Sequence, residues 1–264
     1  FSCTTVFSPY STTRLRALAS RANHPSLRII SNHAGDRMTL EHAWESVWNR
    51  IGLADTDARA ALQRAGELVP VPSGKPVISQ DANDNSVYLL LQGQMRVGVL
   101  ARSGQDVWVS YLEPGAMFGE MAALTGDPRS TEITASADSL LARIAGEDFL
   151  VLVETHGQIG LALTRMLAAR MHATTRRMFE LSALSTTGRI YAELLRMSRS
   201  DDGGRTRIIS PIPSFKEIGD RVAAARETVS RTVSRLAERG LIHRGEDRIE
   251  LIDPEQLSRL EDTM

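Results

Sequence analysis

The spacing of large apolar side chains changes several times along this chain, and each change marks a segment. From Thr39 to Leu68, the residues Trp44, Val47, Trp48 and Ile51 recur at steps of three and four, which predicts one face of an α-helix. Asp57 then reads as the start of a second short helix, with Ala58, Leu62 and Ala65 on one side. From Val69 to Ile144 the repeat becomes two: Met95, Val97 and Val99 alternate with polar or small residues, as do Val107, Val109 and Tyr111. Gly74, Gly93, Gly104, Gly115 and Gly126 punctuate this stretch. Short alternating strands between glycine turns predict an all-β roll or barrel of the jelly-roll kind.

After Gly146 a helical repeat returns and runs to about Leu184. Within it Leu167, Met171, Thr174, Met178 and Leu181 step by four, three, four and three, the repeat of a heptad seam. Such a seam either packs inside its own chain or pairs with a second copy. Its length and its place between two domains favour a homodimer. Gly203-Gly204, Pro211 and Pro213 then punctuate the approach to the last segment.

That segment reads as two helices around a tight turn. Ser214 is a candidate N-cap, and Glu217 three residues on completes a capping-box pattern for a helix to Val222. Ala223-Ala224-Ala225 form the turn, Arg226–Arg239 the second helix, and Gly240 its end. At about 100° per residue, Val229, Val233 and Leu236 fall on one side. Arg226, Glu227, Ser230, Arg231 and Ser234 fall on the other. Such a polar face is most often simply solvated. At the start of a second helix it also suits the DNA major groove, where Arg forks onto guanine O6 and N7 and Glu accepts from the cytosine amino group. A β-wing is expected over Arg244–Ile252.

The 264 residues therefore divide as a leader over 1–37, a sensor domain over 38–145, a long helix over 146–184 and a DNA-binding domain over 185–264, an α+β chain overall. The leader is rich in Ser, Thr and Arg, with Asp36 its only acid, and has no sustained apolar repeat. It is expected to be disordered and dispensable, with Met38 as the natural start; an organelle transit peptide has a similar composition. A formal net charge of −1 is a weak argument against general affinity for nucleic acid, and averages hide patches, so the placement of Arg matters more. The lone Cys3 cannot close an internal disulfide, and neither Cys pairs nor a His-x-x-x-His spacing offer a metal site, so no metal is expected. A reducing cytoplasm suits that chain. No apolar run reaches about 18 residues, so no membrane span is expected. Neither a Gly-x-Ser-x-Gly elbow nor a Walker-type loop occurs, and an enzyme is not expected.

The densest chemistry lies in the stretch from Phe118 to Thr131. Gly119 permits close backbone approach to a ligand, and the peptide N–H groups after Glu120, on Met121 and Ala122, suit an anion at the start of a short helix. Arg129 offers a charge-assisted partner for phosphate oxygens and Ser130 a hydroxyl. Glu120 accepts only and suits a ribose hydroxyl. Read from the residues alone, the stretch equally suits two turn glycines and a surface ion pair between Glu120 and Arg129.

This stretch resembles the phosphate-binding cassette of cyclic-nucleotide-binding domains, and its Arg129-Ser130 ending is similar to that of the cyclic AMP receptor group within the CRP/FNR family. Ala169–Thr175 resembles that group's adenine-contacting helix, anchored downstream by Thr187-Gly188-Arg189-Ile190. Where the group carries Thr and Ser, Thr174 and Thr175 stand here. Arg226-Glu227-Thr228-Val229-Ser230-Arg231 resembles its recognition helix, which implies DNA contacts from Arg226, Glu227, Thr228, Ser230 and Arg231. Two departures lie in the turn: Ala223 and Ala225 replace the group's Gly and Ser. The resemblance covers roughly residues 45–252. It implies a cyclic-nucleotide-binding β-roll, a dimerisation helix and a winged helix-turn-helix. It implies cyclic AMP as effector, double-stranded DNA and RNA polymerase as partners, and a bacterial cytoplasmic protein that joins the nucleoid when bound. Other family members respond to cyclic GMP, cyclic di-GMP or no nucleotide, and a cyclic-nucleotide receptor acting on a protein partner is the remaining alternative.

Overall fold

A computed structural model describes residues 39–100, 106–200 and 207–262; the leader, Met38, Gly104 and Gly203-Gly204 lie outside the described residues. The described residues fall into two compact units. One runs to Met166, and the other starts at Leu167, with Val107–Ser110 grouped with it.

The first unit opens with α1 (Leu40–Ile51) and α2 (Thr56–Ala65). Thr39 caps α1, and Trp44, Val47, Trp48 and Ile51 are buried as their spacing predicts, with the two indole rings stacked 5.1 Å apart. The second helix starts earlier than Asp57, because Asp55 reaches the amide of Ala58 at 2.8 Å and takes the N-cap. Leu68 belongs to a strand instead of a helix.

Eight strands follow: β1 (Glu67–Val71), β2 (Pro76–Ile78), β3 (Val87–Gln92), β4 (Met95–Leu100), β5 (Asp106–Leu112), β6 (Met117–Phe118), β7 (Glu132–Ala135) and β8 (Ser139–Ile144). They form two antiparallel sheets, in the orders β1-β8-β3-β6 and β2-β7-β4-β5. Ile78, Tyr88, Leu90, Met95, Ile133 and Leu141 pack together between them. These are the inward-facing positions of each pleat, so the period-two pattern becomes the core of a β-roll. A short helix, α3 (Glu120–Thr125), interrupts the strands after β6.

The helical segment predicted from Gly146 to Leu184 is two helices, α4 (Gly146–Thr155) and α5 (Gly157–Ala183), broken at His156. The apolar repeat runs through the break, which is why the sequence conceals it.

In the second unit, α6 (Thr186–Met197), α7 (Phe215–Val222), α8 (Arg226–Glu238) and α9 (Pro254–Asp262) accompany β9 (Arg199–Ser200), β10 (Arg207–Ile209), β11 (Ile242–Arg244) and β12 (Ile249–Leu251), which form a sheet in the order β11-β12-β10-β9. Ile190, Leu194, Ile218, Val229, Val233 and Leu236 form its core. The capping box is present as read: Ser214 Oγ accepts from the amide of Glu217 at 3.2 Å, and the carboxylate of Glu217 accepts from the amide of Ser214 at 2.7 Å. Arg189 on α6 donates to the carbonyl of Val222 at 2.9 Å and so satisfies the end of α7. The carboxylate of Glu193 on α6 is buried and takes charge-assisted bonds from Arg196 and from Arg221 of α7, while Arg196 also pairs with Glu180 of α5.

Candidate ligand pocket and nucleic-acid interface

Arg129 follows α3 and is only 3 % exposed. Its backbone is fixed first, its amide donating to the carbonyl of Ala82 at 2.9 Å while its carbonyl accepts from Asp81 at 2.8 Å. The guanidinium then meets three acceptors. Nη1 donates to the carbonyl of Gly119 at 2.7 Å, and Nη2 donates to the carbonyl of Ser86 and to the carboxylate of Asp84, both at 2.6 Å. Nε is buried without a hydrogen-bond partner. A guanidinium offers five N–H groups, so an unpartnered buried Nε leaves capacity for a further acceptor.

Gly119 earns its place through this guanidinium. Its φ of 82° is left-handed, and a Cβ there would stand 2.7 Å from the carbonyl oxygen of Ser86 and 2.9 Å from Nη1 of Arg129. The close approach seen at Gly119 in this structure is to Arg129. Glu120, at 1 % exposure, begins α3, whose N-terminus has no side-chain cap. Ala122 is buried and Met121 is exposed on the same helix, and Ser130 is exposed beside Arg129. The surface ion pair between Glu120 and Arg129 is therefore not what forms: both are buried, and the carboxylate facing Arg129 belongs to Asp84.

Asp84 and Ser86 were not legible as site residues. Asp84 stands 45 residues before Arg129, on the loop between β2 and β3. Its other oxygen accepts from the amide and the hydroxyl of Ser86, at 3.1 and 2.9 Å. Burial pushes its carboxyl up, but hydrogen bonds from Arg129 and Ser86 outweigh this and hold it below the usual carboxylate range. The only weak hint in the sequence is the turn-forming run Asp81–Asn85.

Thr174 and Thr175 lie in α5, in the second unit, and both are exposed. On the same helix Met171 is 65 % and Met178 64 % exposed, so much of the seam's apolar surface is uncovered within one chain.

Arg226, Glu227 and Arg231 are exposed along α8, and Thr228 and Ser230 are half-buried, while Val229, Val233 and Leu236 face the core. This is the division the helical period predicts. Two further cations join this face. Phe215, Lys216, Arg226, Arg244 and Glu246 line one groove, and the guanidinium of Arg244 lies 4.8 Å over the Phe215 ring. Arg244 ends β11, at the root of the expected wing, and the amide of Gly245 closes the following turn onto the carbonyl of Arg248 at 2.9 Å.

Comparison with known proteins agrees with both halves of this geometry. Residues 68–156 match the cyclic nucleotide-binding domain and residues 188–260 the Crp-like helix-turn-helix domain. The cAMP-activated global transcriptional regulator CRP of Pasteurella multocida is 30% identical over 178 residues, 65% of this chain and 83% of that protein. The chain belongs to the CRP/FNR family of transcription regulators. A second relative, the CRP-like cAMP-activated global transcriptional regulator of Mycobacterium tuberculosis, is 25% identical over 208 residues, 78% of this chain and 92% of that one. In fold, the c-di-GMP responsive global regulator CLP of Xanthomonas campestris superposes with a TM-score of 0.63 at 21% identity, over 75% of this chain and 99% of that chain. The CRP/FNR chain described here is thus a DNA-binding transcription regulator with a cyclic nucleotide-binding domain, and its named relatives are regulators, not enzymes. Among the described residues no helix is long and apolar enough to cross a membrane.

Proposed function

We propose that this regulator is controlled by cyclic AMP and binds its DNA as a homodimer, with RNA polymerase as its further partner and the bacterial cytoplasm as its location. The observation that carries the effector reading is Arg129, a buried cation whose Nε has no partner, in the same local stretch as buried Glu120. These residues fit a cyclic nucleotide: Arg129 and Ser130 would hold the phosphate, with the amides of Met121 and Ala122, and Glu120 would accept from the ribose. Thr174 and Thr175 would meet the base, since a hydroxyl both donates and accepts as adenine requires. The nucleotide supplies a compact anion joined to a hydrogen-bonding base. A base contact on the seam helix gives ligand and DNA a common element to bias. Exposed Arg226, Glu227 and Arg231, with half-buried Thr228 and Ser230, would read base edges, and the seam of Leu167, Met171, Thr174, Met178 and Leu181, largely uncovered in one chain, would join two copies.

The test is calorimetric titration of nucleotide-free protein with cyclic AMP, cyclic GMP and cyclic di-GMP, paired with a gel shift on operator DNA. Binding of cyclic AMP that also tightens the DNA complex is expected. Absence of heat with every nucleotide up to millimolar concentration sinks the cyclic-nucleotide reading. A response to cyclic di-GMP alone would align the chain with the responsiveness named for CLP.

A further inference from the structure

We propose that Asp84 is a positioning residue of the anion site, holding the Arg129 guanidinium in place to receive the ligand's phosphate; this rests on the reading that Arg129 is the phosphate partner. Three acceptors grip Arg129, and Asp84 is the charged one. The two carbonyls of Gly119 and Ser86 accept hydrogen bonds but offer no net charge. A guanidinium at 3 % exposure has lost its hydration, and the carboxylate is what offsets that loss before any ligand arrives.

Asp84 is itself held, and this makes it a tether. Its Oδ1 takes both the amide and the hydroxyl of Ser86, and Nε of Arg143 donates to that same hydroxyl at 3.1 Å. The chain of bonds thus runs from Arg143 on β8 through Ser86 and Asp84 to Arg129. It spends Nη2 on protein acceptors and leaves Nε unpartnered. A donor fixed in advance meets its anion without losing further rotamer freedom, which is where affinity is gained. Two other roles for Asp84 give different results. A residue that merely stabilises the fold would change the melting temperature and leave affinity alone. A carboxylate that competes with the phosphate would raise affinity on removal.

The experiment uses the full chain carrying Asp84→Ala and, since that variant could fold poorly, also the near-isosteric Asp84→Asn. Cyclic AMP affinity is expected to fall about 10-fold or more in Asp84→Ala, the loss of one hydrogen bond to a charged group, and less in Asp84→Asn. Neither change should add to Arg129→Leu in a double-mutant cycle, because the tether acts through Arg129. A second readout needs no ligand: hydrogen exchange at Nε of Arg129, followed by NMR and assigned with Arg129→Lys, should be slow in the wild type and faster in Asp84→Ala. Unchanged or tighter nucleotide binding in both Asp84 variants overturns the proposal while leaving the cyclic-nucleotide reading intact. If the wild type binds no nucleotide, that reading fails, and the exchange rate alone decides for Asp84: faster exchange supports the tether and an unchanged rate overturns it.

Discussion

A guanidinium buried to 3 % exposure needs acceptors on several sides, and Arg129 has three of them. Its proposed role in binding is tested by what its removal leaves behind. Arg129→Leu would strand Asp84 and any ligand phosphate without their cation, a loss of roughly 3 kcal/mol or more in cyclic AMP affinity by calorimetry. Thr174→Ala should cost about 1 kcal/mol, a neutral hydrogen bond, yet should loosen the dependence of DNA affinity on nucleotide. The Asp84 carboxyl also makes a pH prediction. Its value is depressed in the fold, so its stabilisation is present at neutral pH and is lost as pH falls through the depressed value, below the ordinary value of about 3.9. The difference in melting temperature between wild type and Asp84→Asn should therefore shrink in acid. Much of this site was legible in the sequence. Gly119, Glu120 and Arg129 stand within one local stretch, where spacing carries information. Asp84 was not, because a pairing across 45 residues leaves no trace in local periodicity.

Among the elements, the turn between α7 and α8 shows how a local departure becomes a measurable cost. Ala223 adopts φ 51°, a left-handed conformation that crowds its Cβ, and Ala225 sits at the N-cap of α8 with no side-chain hydrogen bond. Ala223→Gly and Ala225→Ser should each stabilise the DNA-binding unit by about 1 kcal/mol, read in chemical denaturation. The fold keeps its turn regardless, since Gly219 packs tightly there: a Cβ on it would lie 2.5 Å from the carbonyl oxygen of Ala224. On α8 itself, Arg226→Ala and Arg231→Ala should each weaken specific operator binding by about 1–3 kcal/mol and leave nucleotide affinity near normal. Equal affinities in a competition gel shift would remove α8 from the major groove. The apolar periods placed the helices on either side of the roll and the two helices of the reader, but not α6 or α9, and the Ser214–Glu217 box fixed the start of α7. The break at His156 escaped because Leu152, Ile159 and Leu163 continue the apolar face across it. The choice of Asp55 over Asp57 depended on which carboxylate reaches an amide, a distance no pattern contains.

For the whole molecule, the sequence separates two cores with different repeats, and each is found inside its own unit. What a single chain leaves open is the seam. Met171 and Met178 on α5 are 65 % and 64 % exposed, and Leu181 is also exposed. Large apolar groups at heptad spacing on an uncovered helix face are what a second copy of the same helix covers, by knobs-into-holes packing. A helix-turn-helix dimer binds two half-sites at a spacing set by its two-fold symmetry, so operator affinity depends on keeping both readers joined. Replacing Met171 and Met178 together by Glu puts four carboxylates into the seam of a dimer. Sedimentation equilibrium should show a dimer for the wild type and a monomer for the variant. The loss of the second half-site should reduce operator affinity by about 100-fold or more, since joined modules gain avidity on that order. The melting of the DNA-binding unit should be unaltered, because neither Met belongs to its core. A variant that remains dimeric with wild-type operator affinity would place the dimer interface elsewhere and leave the exposed methionines of α5 without a partner.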